Sequence, residues 1–401
     1  MNKIASIKSN DVFESALSLI KRDLDNSPFF GQEVSVLSHF LSANEKFPHV
    51  RDETFDAIQV LYGKTSDIIS SKFKFIDLFA GIGGFRIGLQ NFGGKAVFSS
   101  EWDKNAQETY YNNHSDYPYG DITKFTNEHI SDNELDMLIP SHDVLAGGFP
   151  CQPFSRAGVS ARNSLGLPHG FECTTQGTLF YSIERITKIK KPKLLFLENV
   201  KNILSHDSGQ TFFTIRSTIE SMGYKFFHSI VNSETLVPQR RVRCFMIGVR
   251  QDLVDSYGDF VFPDFSGNSL PLRGIIENNV DDKYTISDKL WHGHITRSER
   301  NLARGTGFTT GETDLDKPSN TIVARYGKDG KECLIPQENK NPRMLTINEC
   351  KKLFGYPESF KLPQFRTPAY KLLGNSVVVP VIERISDVLV KQYILPSYKQ
   401  K

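Results

Sequence analysis

The sequence has few cysteines, no long apolar run and almost no excess of charge, and each shortage excludes a class of protein. Five cysteines in 401 residues, an odd number without a CxxC pair, argue against a disulfide scaffold or a zinc site and favour a reducing compartment. No stretch approaches the roughly 18 apolar residues of a membrane span, and residues 1–14 are too polar for a signal peptide. A net charge of +2 leaves nucleic-acid binding to local basic patches. We expect a soluble, cytoplasmic protein with no bound metal.

The pattern of apolar residues divides the chain into regions. Residues 1–72 have the spacing of helices, which predicts a helical extension packed on the main body rather than a helix-turn-helix. Residues 266–342 lose periodicity and are rich in Gly, Asn, Thr and Asp, which predicts a smaller, loop-rich domain. Residues 343–401 are typical of helices that return to the first domain.

Between residues 73 and 265, short apolar runs alternate with amphipathic segments. This alternation predicts an α/β fold with a doubly wound, mostly parallel sheet. The helical patterns cover 177–189 and 211–222. The predicted strands are 75–79, 96–99, 143–146, 194–197, 226–231 and 244–249.

Residues typical of a nucleoside site follow the first predicted strands. The glycines within 80–84 bring bare backbone close to a ligand, although their spacing is neither that of a dinucleotide fingerprint nor that of a P-loop. Glu101 suits a ribose diol, Trp102 can stack on a purine, and Asp121 with Ile122, after a predicted third strand, can meet an adenine edge. Together they favour an adenosine-containing cofactor, with a dinucleotide still open at this point.

Residues typical of covalent chemistry follow the later strands. Cys151 lies in a proline-rigidified loop beside glycines, where its thiolate can act as a nucleophile. Glu198 follows another strand at the same edge and can protonate a ring nitrogen. Arg241 and Arg243 can clamp an anion or orient Glu198, or form a solvated basic edge. The other cysteines are predicted to be small buried hydrophobes: Cys173, Cys244, Cys333 and Cys350.

Seven motifs in order, over about residues 73–390, resemble the DNA (cytosine-5) methyltransferases of the bacterial restriction-modification type. This resemblance displaces the dinucleotide interpretation. The motifs are DLFAGIGG at 77–84, PCQ at 150–152, GTLF at 177–180, ENV at 198–200, QRRVR at 239–243, RMLT at 343–346 with Glu349, and GNSV at 374–377.

The resemblance implies an S-adenosylmethionine-dependent methyltransferase fold with a target-recognition domain. The implied division is an extension at 1–72, a catalytic domain at 73–265, a target-recognition domain at 266–342, and a hinge and C-terminal return at 343–401. The implied S-adenosyl-L-methionine site consists of Phe79, Ala80, Gly81, Ile82, Gly83, Glu101, Trp102, Asp121, Ile122, Pro150, Leu179 and Asn375.

The resemblance also implies a reaction. Cys151 would attack C6 of a cytosine flipped out of the duplex while Glu198 protonates N3, so that C5 accepts the methyl group. Arg243 would neutralise charge near the ring, with Arg241 and Gln239 in support, and the loop 155–171 would close as a lid.

The implied partner is double-stranded DNA, methylated at a short specific site by a monomer in a bacterial cytoplasm. A companion restriction endonuclease would act on the same site without a stable complex. The implied DNA-binding residues are Ser155, Arg156, Arg304, Thr306, Thr321 and Arg325.

Two other functions stay open from the sequence. A tRNA cytosine-5 methyltransferase shares the motifs, but its branch has a shorter recognition region and a Cys-Phe-Thr signature that this sequence lacks. A catalytically dead DNA-binding protein is disfavoured because Cys151, Glu198 and the cofactor motifs are all intact.

Overall fold

The structure is a computed structural model that describes residues 11–43, 45–62, 71–150, 179–305, 307 and 309–396. The chain divides into two compact units. The first comprises Met1–Ser229, Cys244–Phe262 and Ser386–Lys401, and the second comprises Ile230–Arg243 and Pro263–Ile385. The stretch 266–342, expected to recognise the target, falls within the second unit; the division of the chain by function stays a prediction.

One six-stranded sheet organises the first unit, and each of the six strand ranges listed above is present within three residues of its expected bounds. Strand order is β2-β1-β3-β4-β6-β5, and β1 pairs in parallel with both β2 and β3, as β3 does with β4. The inner strands are almost continuously buried, as strands covered on both faces are. The predicted doubly wound α/β fold is confirmed. The strands are β1 Phe73–Leu78, β2 Gly94–Ser100, β3 Val144–Gly148, β4 Leu194–Val200, β5 Tyr224–Asn232 and β6 Val242–Arg250.

Local capping explains where several helices begin. The Asp103 side chain accepts hydrogen bonds from the backbone N–H groups of Asn105 and Ala106, and Ser131 forms a capping box with Glu134. In the part of the chain that the structure describes, no helix is long and apolar enough to span a membrane. The helices up to β6 are α1 Asp11–Leu24, α2 Glu33–Ala43, α3 Asp52–Tyr62, α4 Gly84–Gln90, α5 Lys104–His114, α6 Thr123–Thr126, α7 Asp132–Leu138, α8 Leu179–Lys190 and α9 Gln210–Ser221. After β6 come α10 Gln251–Tyr257, α11 Asp288–Ala303, α12 Tyr326–Asp329, α13 Ile347–Leu353, α14 Arg366–Gly374, α15 Val379–Leu389 and a π-helical turn at Val390–Ile394.

The N-terminal helices share a core with the sheet. In α1 the buried residues are Phe13, Ala16, Ile20 and Leu24, the helical spacing seen in the sequence. They join one buried cluster with residues of β1 and β2. The extension therefore packs on the main body, as its periodicity predicted.

The second unit contains a helix that the sequence pattern did not predict. The 16-residue helix α11 lies in the stretch expected to be loop-rich, so that expectation was wrong for residues 288–303. Its buried side chains are polar anchors: Ser298 donates to the Thr310 carbonyl at 2.8 Å, and a His294 ring nitrogen lies 2.9 Å from the Asp329 carbonyl. Hydrophobic periodicity cannot reveal a helix that is held by polar side chains.

A buried ion pair organises the RMLT motif of the second unit. Both terminal nitrogens of Arg343 donate to the Glu349 carboxylate at 2.8 Å, and both side chains are at most 5% exposed. Glu349 also accepts from the N–H groups of Thr346 and Glu277, each at 2.7 Å, so four donors converge on one carboxylate. This motif therefore has a structural role: it links residue 277 to residues 343–349.

Replacing Glu349 by alanine is expected to destabilise the second unit by about 3–5 kcal/mol, because it leaves the Arg343 guanidinium buried without its counter-charge. Urea unfolding followed by Trp291 fluorescence, in a Trp102→Phe background, measures this effect within the second unit. The control is Lys340→Ala, which removes an exposed pair with Asp282 and is expected to cost less than about 1 kcal/mol. Equal losses in the two variants would contradict the assigned role.

Candidate functional site

The ends of four parallel strands are aligned at one edge of the sheet. Leu78 of β1 is in register with Ser100 of β2 and with Gly147 of β3, which in turn is in register with Leu197 of β4. Because β2 lies on one side of β1 and β3 lies on the other, the switch point of the topology lies between β1 and β3. Ligands of doubly wound sheets bind outside the carboxyl ends of the strands at such a point.

The glycine loop at 79–83 leaves β1 at this switch point. Phe79, Gly81 and Gly83 have φ of +57°, +54° and +88°, so three of its residues adopt a left-handed conformation, which is costly for Phe79. A side chain at Gly81 would meet no atom within 4 Å, so open space lies beside the backbone there. Ala80 is largely buried and Ile82 is buried. The loop offers backbone, rather than side chains, to a ligand.

Glu101 and Trp102 lie at the end of β2, beside this loop. The Glu101 carboxylate is largely buried and accepts from the N–H of Gly81 and the N–H of Asp103, each at 2.8 Å. Burial raises the pKa of the Glu101 carboxyl, although these N–H groups oppose the shift. Its oxygens keep further lone pairs for hydroxyl donors, while the Trp102 ring is 80% exposed and can be covered by another ring.

The predicted third strand before Asp121 is wrong. Among the described residues between β2 and β3, Tyr119 makes only a single bridge to Ser100, and the short helix α6 follows. Asp121 uses a carboxylate oxygen to accept from the Thr123 N–H at 2.9 Å. The Ile122 side chain is buried in the core, so a ligand can contact only its backbone.

Glu198 lies at the end of β4, in register with Gly148 of β3. A side chain at Gly148 would come within 3.2 Å of a Glu198 carboxylate oxygen, so the two strand ends are in close approach. The Glu198 side chain is largely buried, and Pro150, two residues beyond Gly148, is exposed. Pro150, the residue before Cys151, therefore lies just beyond the strand ends that carry Glu198.

The sequence analysis missed a role for Asn199. Its side-chain amide donates to the Phe149 carbonyl at 2.9 Å, and its oxygen accepts from the Val200 N–H at 2.8 Å. Asn199 is 2% exposed. It ties the chain just before Cys151 to the end of β4. The ENV motif contained this residue, but nothing in the sequence indicated its partner.

Replacing Asn199 by alanine is expected to lower kcat about tenfold, because the segment that leads to Cys151 loses its anchor and the reacting groups lose their alignment. Steady-state assays of the methyl transfer that the motifs imply would measure kcat together with the KM for the methyl donor, which should change little. The exposed Asn202 offers a matched control, since Asn202→Ala removes an amide from the 3₁₀ turn that follows β4. An unchanged kcat in the Asn199 variant would contradict the assignment.

Gln239 and Arg241 are buried inside the second unit. Gln239 donates to the Leu353 carbonyl and accepts from the Ile322 N–H, at 3.0 and 2.8 Å. Arg241 donates to the carbonyls of Ile322, Gly374 and Ser376. The prediction that Arg241 clamps an anion is wrong, because its guanidinium donates to these backbone carbonyls instead. Gln239 joins the QRRVR segment to Ile322 and Leu353, and Arg241 joins it to Ile322 and the GNSV segment.

The remaining expected residues of the second unit, where the structure describes them, are partly or fully exposed. Arg243, at the start of β6, is half-buried and donates to the Val242 carbonyl at 2.9 Å. Asn375 is exposed after α14. Thr321 donates its hydroxyl to the Arg240 carbonyl at 2.6 Å.

The two described arginines expected to bind DNA differ in their contacts. Arg304 is exposed just after α11, where its backbone N–H bonds to the Arg300 carbonyl. Arg325 is exposed and pairs with Asp329 at 2.7 Å. In the first unit, half-buried Leu179 begins α8. Four expected site residues lie outside the described residues: Cys151, Ser155, Arg156 and Thr306. Cys173 and the predicted lid at 155–171 lie outside them as well.

The fold and this edge define a class of protein. A doubly wound sheet that carries an open glycine loop, a carboxylate and an exposed indole at its switch point is an enzyme fold with a nucleoside-type site. Glu198, at the end of a neighbouring strand, adds an acid–base group.

Comparison with known proteins gives the family. Residues 73–391 match the family model described as C-5 cytosine-specific DNA methylase, and the chain belongs to this family. It is 45% identical over 324 residues to the type II methyltransferase M.SsoII of Shigella sonnei, covering 80% of this chain and 81% of that one. It is 37% identical over 404 residues to the DNA-cytosine methyltransferase of Escherichia coli K12, covering 88% and 85%. The protein is a DNA (cytosine-5) methyltransferase, as the motifs predicted.

Solved structures agree with the fold. A mutant of the Spodoptera frugiperda DNMT2 superposes with a TM-score of 0.60 at 20% identity, covering 79% of this chain and 99% of that one. The S. pombe Dnmt2 methyltransferase gives a TM-score of 0.60 at 17% identity, with 80% and 98% covered. At these identities the likeness concerns the fold alone.

Proposed function

We propose that this chain transfers a methyl group from S-adenosyl-L-methionine to C5 of a flipped-out cytosine in a short specific duplex site, through a covalent bond between Cys151 and C6. The observation that carries the proposal is the alignment of strand ends, which places the glycine loop, Glu101 and Glu198 at one edge. The chain acts as a monomer in the bacterial cytoplasm. A companion restriction endonuclease that reads the same site is part of the proposal, since similar proteins are type II methyltransferases.

The cofactor fits the residues at this edge. Glu101 has carboxylate lone pairs to accept from the two ribose hydroxyls, Trp102 offers an exposed ring to the adenine, and Gly81 leaves open space beside the backbone. We assign Asp121 and the backbone of Ile122 to the adenine edge, and Phe79 through Gly83 to the methionine end. Pro150, Leu179 and Asn375 complete the proposed site. When bound, this cofactor supplies a methyl group on a positively charged sulfur.

The chain's own residues activate the cytosine. The Cys151 thiolate forms a bond to C6, and the π pair of the C5–C6 bond shifts to C4–C5. The π pair of the C4–N3 bond then takes a proton from Glu198 at N3. C5 then has the electron density to accept the methyl group. Loss of the C5 proton to water restores the double bond, expels the thiolate and returns the N3 proton to Glu198. Arg243 balances charge near the ring in this proposal, and Gln239 and Arg241 support it through the backbone of the second unit.

Burial excludes three of the five cysteines as the nucleophile. Burial raises the pKa of Cys244 to about 12, and the nearby Glu198 carboxylate adds to this shift. Burial also raises the pKa of Cys333 to about 12 and holds that of Cys350 well above its usual range. None of these three thiols ionises near neutral pH, so none of them can supply a thiolate.

The exposed arginines of the second unit supply the proposed DNA contacts. The polar anchors of α11 are buried, whereas Arg297, Arg300 and Arg304 are exposed on or just after this helix. We assign them, with Arg325, Thr321, Ser155, Arg156 and Thr306, to phosphates and base edges. Arg325 would exchange its pair with Asp329 for a phosphate.

The test is bisulfite sequencing of a plasmid from a methylation-free host that expresses the chain, with the Cys151→Ala variant as control. The proposal expects protected cytosines at one short recurring site in the wild type alone. Protected positions scattered without a shared site would contradict specific recognition. A folded wild-type chain that protects no DNA cytosine, but methylates RNA, would overturn the choice of substrate.

A further inference from the structure

The segment 115–120 connects α5 to Asp121, the residue that we assign to the adenine edge. It has almost no regular structure: Tyr119 makes one bridge to Ser100, and the described residues around it form no further ladder. A buried segment of this kind needs partners for its backbone polar groups from elsewhere in the fold. The N-terminal extension provides them.

Gln32, just before α2, holds the last residue of this segment. The Gly120 N–H donates to the Gln32 side-chain oxygen at 3.0 Å. A Cβ at Gly120 would come within 2.8 Å of the Gln32 side-chain nitrogen, so a larger residue there would displace the Gln32 amide. The neighbouring residue is Asp121.

The same face of α2 holds the rest of the segment. Ser35 donates its hydroxyl to the Pro118 carbonyl at 3.1 Å. Ser38 donates to the Ser115 carbonyl at 3.2 Å and accepts from the Tyr117 N–H at 3.1 Å. Positions 32, 35 and 38 recur about once per helical turn, so a single face of α2 lies along the segment.

His39, on this face, fixes the side chains of the segment. Its Nδ1 lies 3.0 Å from an Asp116 carboxylate oxygen, while Arg86 of α4 lies 2.6 Å from the other. Burial alone would raise the pKa of Asp116, but His39 and Arg86 outweigh it and lower the pKa to about 2. The His39 ring also stacks on Tyr119, which stacks on Phe98 of β2.

The other side of the segment is bound to the end of β2. The Gly120 carbonyl accepts from the Ser100 hydroxyl at 2.7 Å, and the Glu101 N–H donates to the Tyr119 carbonyl at 2.8 Å. Gly120 is thus held by Gln32 through its N–H and by Ser100 through its carbonyl. Residues 119–120 form a layer between α2 and the carboxylate assigned to the ribose.

We infer that Gln32, Ser38 and His39 of the N-terminal extension are positioning residues for the cofactor site, because they fix the backbone that places Asp121 and Glu101. This inference rests on the function proposed above, and it gives the extension a role in cofactor affinity. Gln32→Leu removes the acceptor of a buried N–H and is expected to weaken cofactor binding about tenfold. Ser38→Ala is expected to weaken it about threefold, and Gln32→Glu, which keeps an acceptor, should restore most of the affinity.

The measurement is the Kd of S-adenosylhomocysteine for the full chain, from quenching of Trp102 emission in a Trp291→Phe background and from equilibrium dialysis. Kinetics should show a raised KM for S-adenosylmethionine, with kcat and the KM for DNA within about twofold of wild type. The matched control is Arg51→Ala, which breaks a 2.7 Å contact with Asp23 inside the same extension, away from residues 115–120. It should lower the Tm without changing the Kd.

The outcomes separate the two proposals. A wild-type chain that binds no S-adenosylhomocysteine overturns the proposed cofactor site. A wild-type chain that binds it, with Gln32→Leu and Ser38→Ala binding equally well, overturns the inference alone. Equal weakening by Arg51→Ala would also overturn it, because the effect would then follow loss of stability. If Gln32→Leu does not fold, the Kd of Ser38→Ala is compared with that of Arg51→Ala, and weaker binding by Ser38→Ala alone supports the inference.

Discussion

Replacing Cys151 by alanine is expected to lower methyl transfer to DNA at least about 10⁴-fold, while binding to the DNA site persists. Without the bond from sulfur to C6, C5 of cytosine is too weak a nucleophile to accept a methyl group. The backbone of the PCQ loop and the basic residues proposed to hold DNA are unchanged by this substitution. The measurements are incorporation of labelled methyl groups and a gel-shift titration with the same duplex.

A covalent trap makes the test specific. Fluorine at C5 of the target cytosine cannot leave as a proton does, so the wild-type chain should stay attached to such a duplex on a denaturing gel. Cys151→Ala should not attach. Cys173→Ala is the matched control, because it removes another thiol close in sequence and should keep full activity. Retained methyl transfer in the Cys151 variant would contradict the proposed covalent bond between Cys151 and C6.

Replacing Glu198 by glutamine is expected to lower kcat about 10²–10⁴-fold, while the Kd of the cofactor stays within about twofold of wild type. An amide at this position can donate a hydrogen bond to N3 but cannot give it a proton. The substitution conserves size, which matters because Glu198 is in close approach to Gly148. Single-turnover methylation with preformed complexes measures the chemical step.

The control for Glu198 is Glu332→Gln. Glu332 is another buried carboxyl, and it lies in the second unit outside the site. This variant should keep its methylation rate. A large loss of cofactor binding in Glu198→Gln would mean that the carboxylate belongs to the cofactor site, and an unchanged kcat would remove it from the proton transfer.

Much of the fold could be predicted from the sequence, because strands that are covered on both faces are continuous apolar runs, which the order of residues reveals. The expected strand at 194–197 is the start of β4, and helix 211–222 is α9 within one residue at each end. The pattern failed where polar groups do the packing. Helix α11 is anchored by Ser298 and His294, and residues 115–120 are held by hydrogen bonds from α2.

The candidate site divides in the same way. Motif residues such as Gly81, Glu101 and Glu198 could be picked out because their chemistry is unusual at the end of a strand. Their partners could not. Asn199 bonds to Phe149 across 50 positions of sequence, and Arg241 bonds to Ser376 across 135.

By itself, the sequence determined the α/β class, the strand positions, the family and the residues whose chemistry suits methyl transfer to cytosine. Only the tertiary structure decided that Gln239 and Arg241 bond to distant backbone groups of the second unit. It also decided that Asn199 anchors the chain before Cys151, and that the N-terminal extension holds the segment before Asp121. The physical reason is the range of the interactions. Apolar periodicity is written locally, whereas a hydrogen bond to a backbone carbonyl depends on which distant segment the folded chain brings within 3 Å.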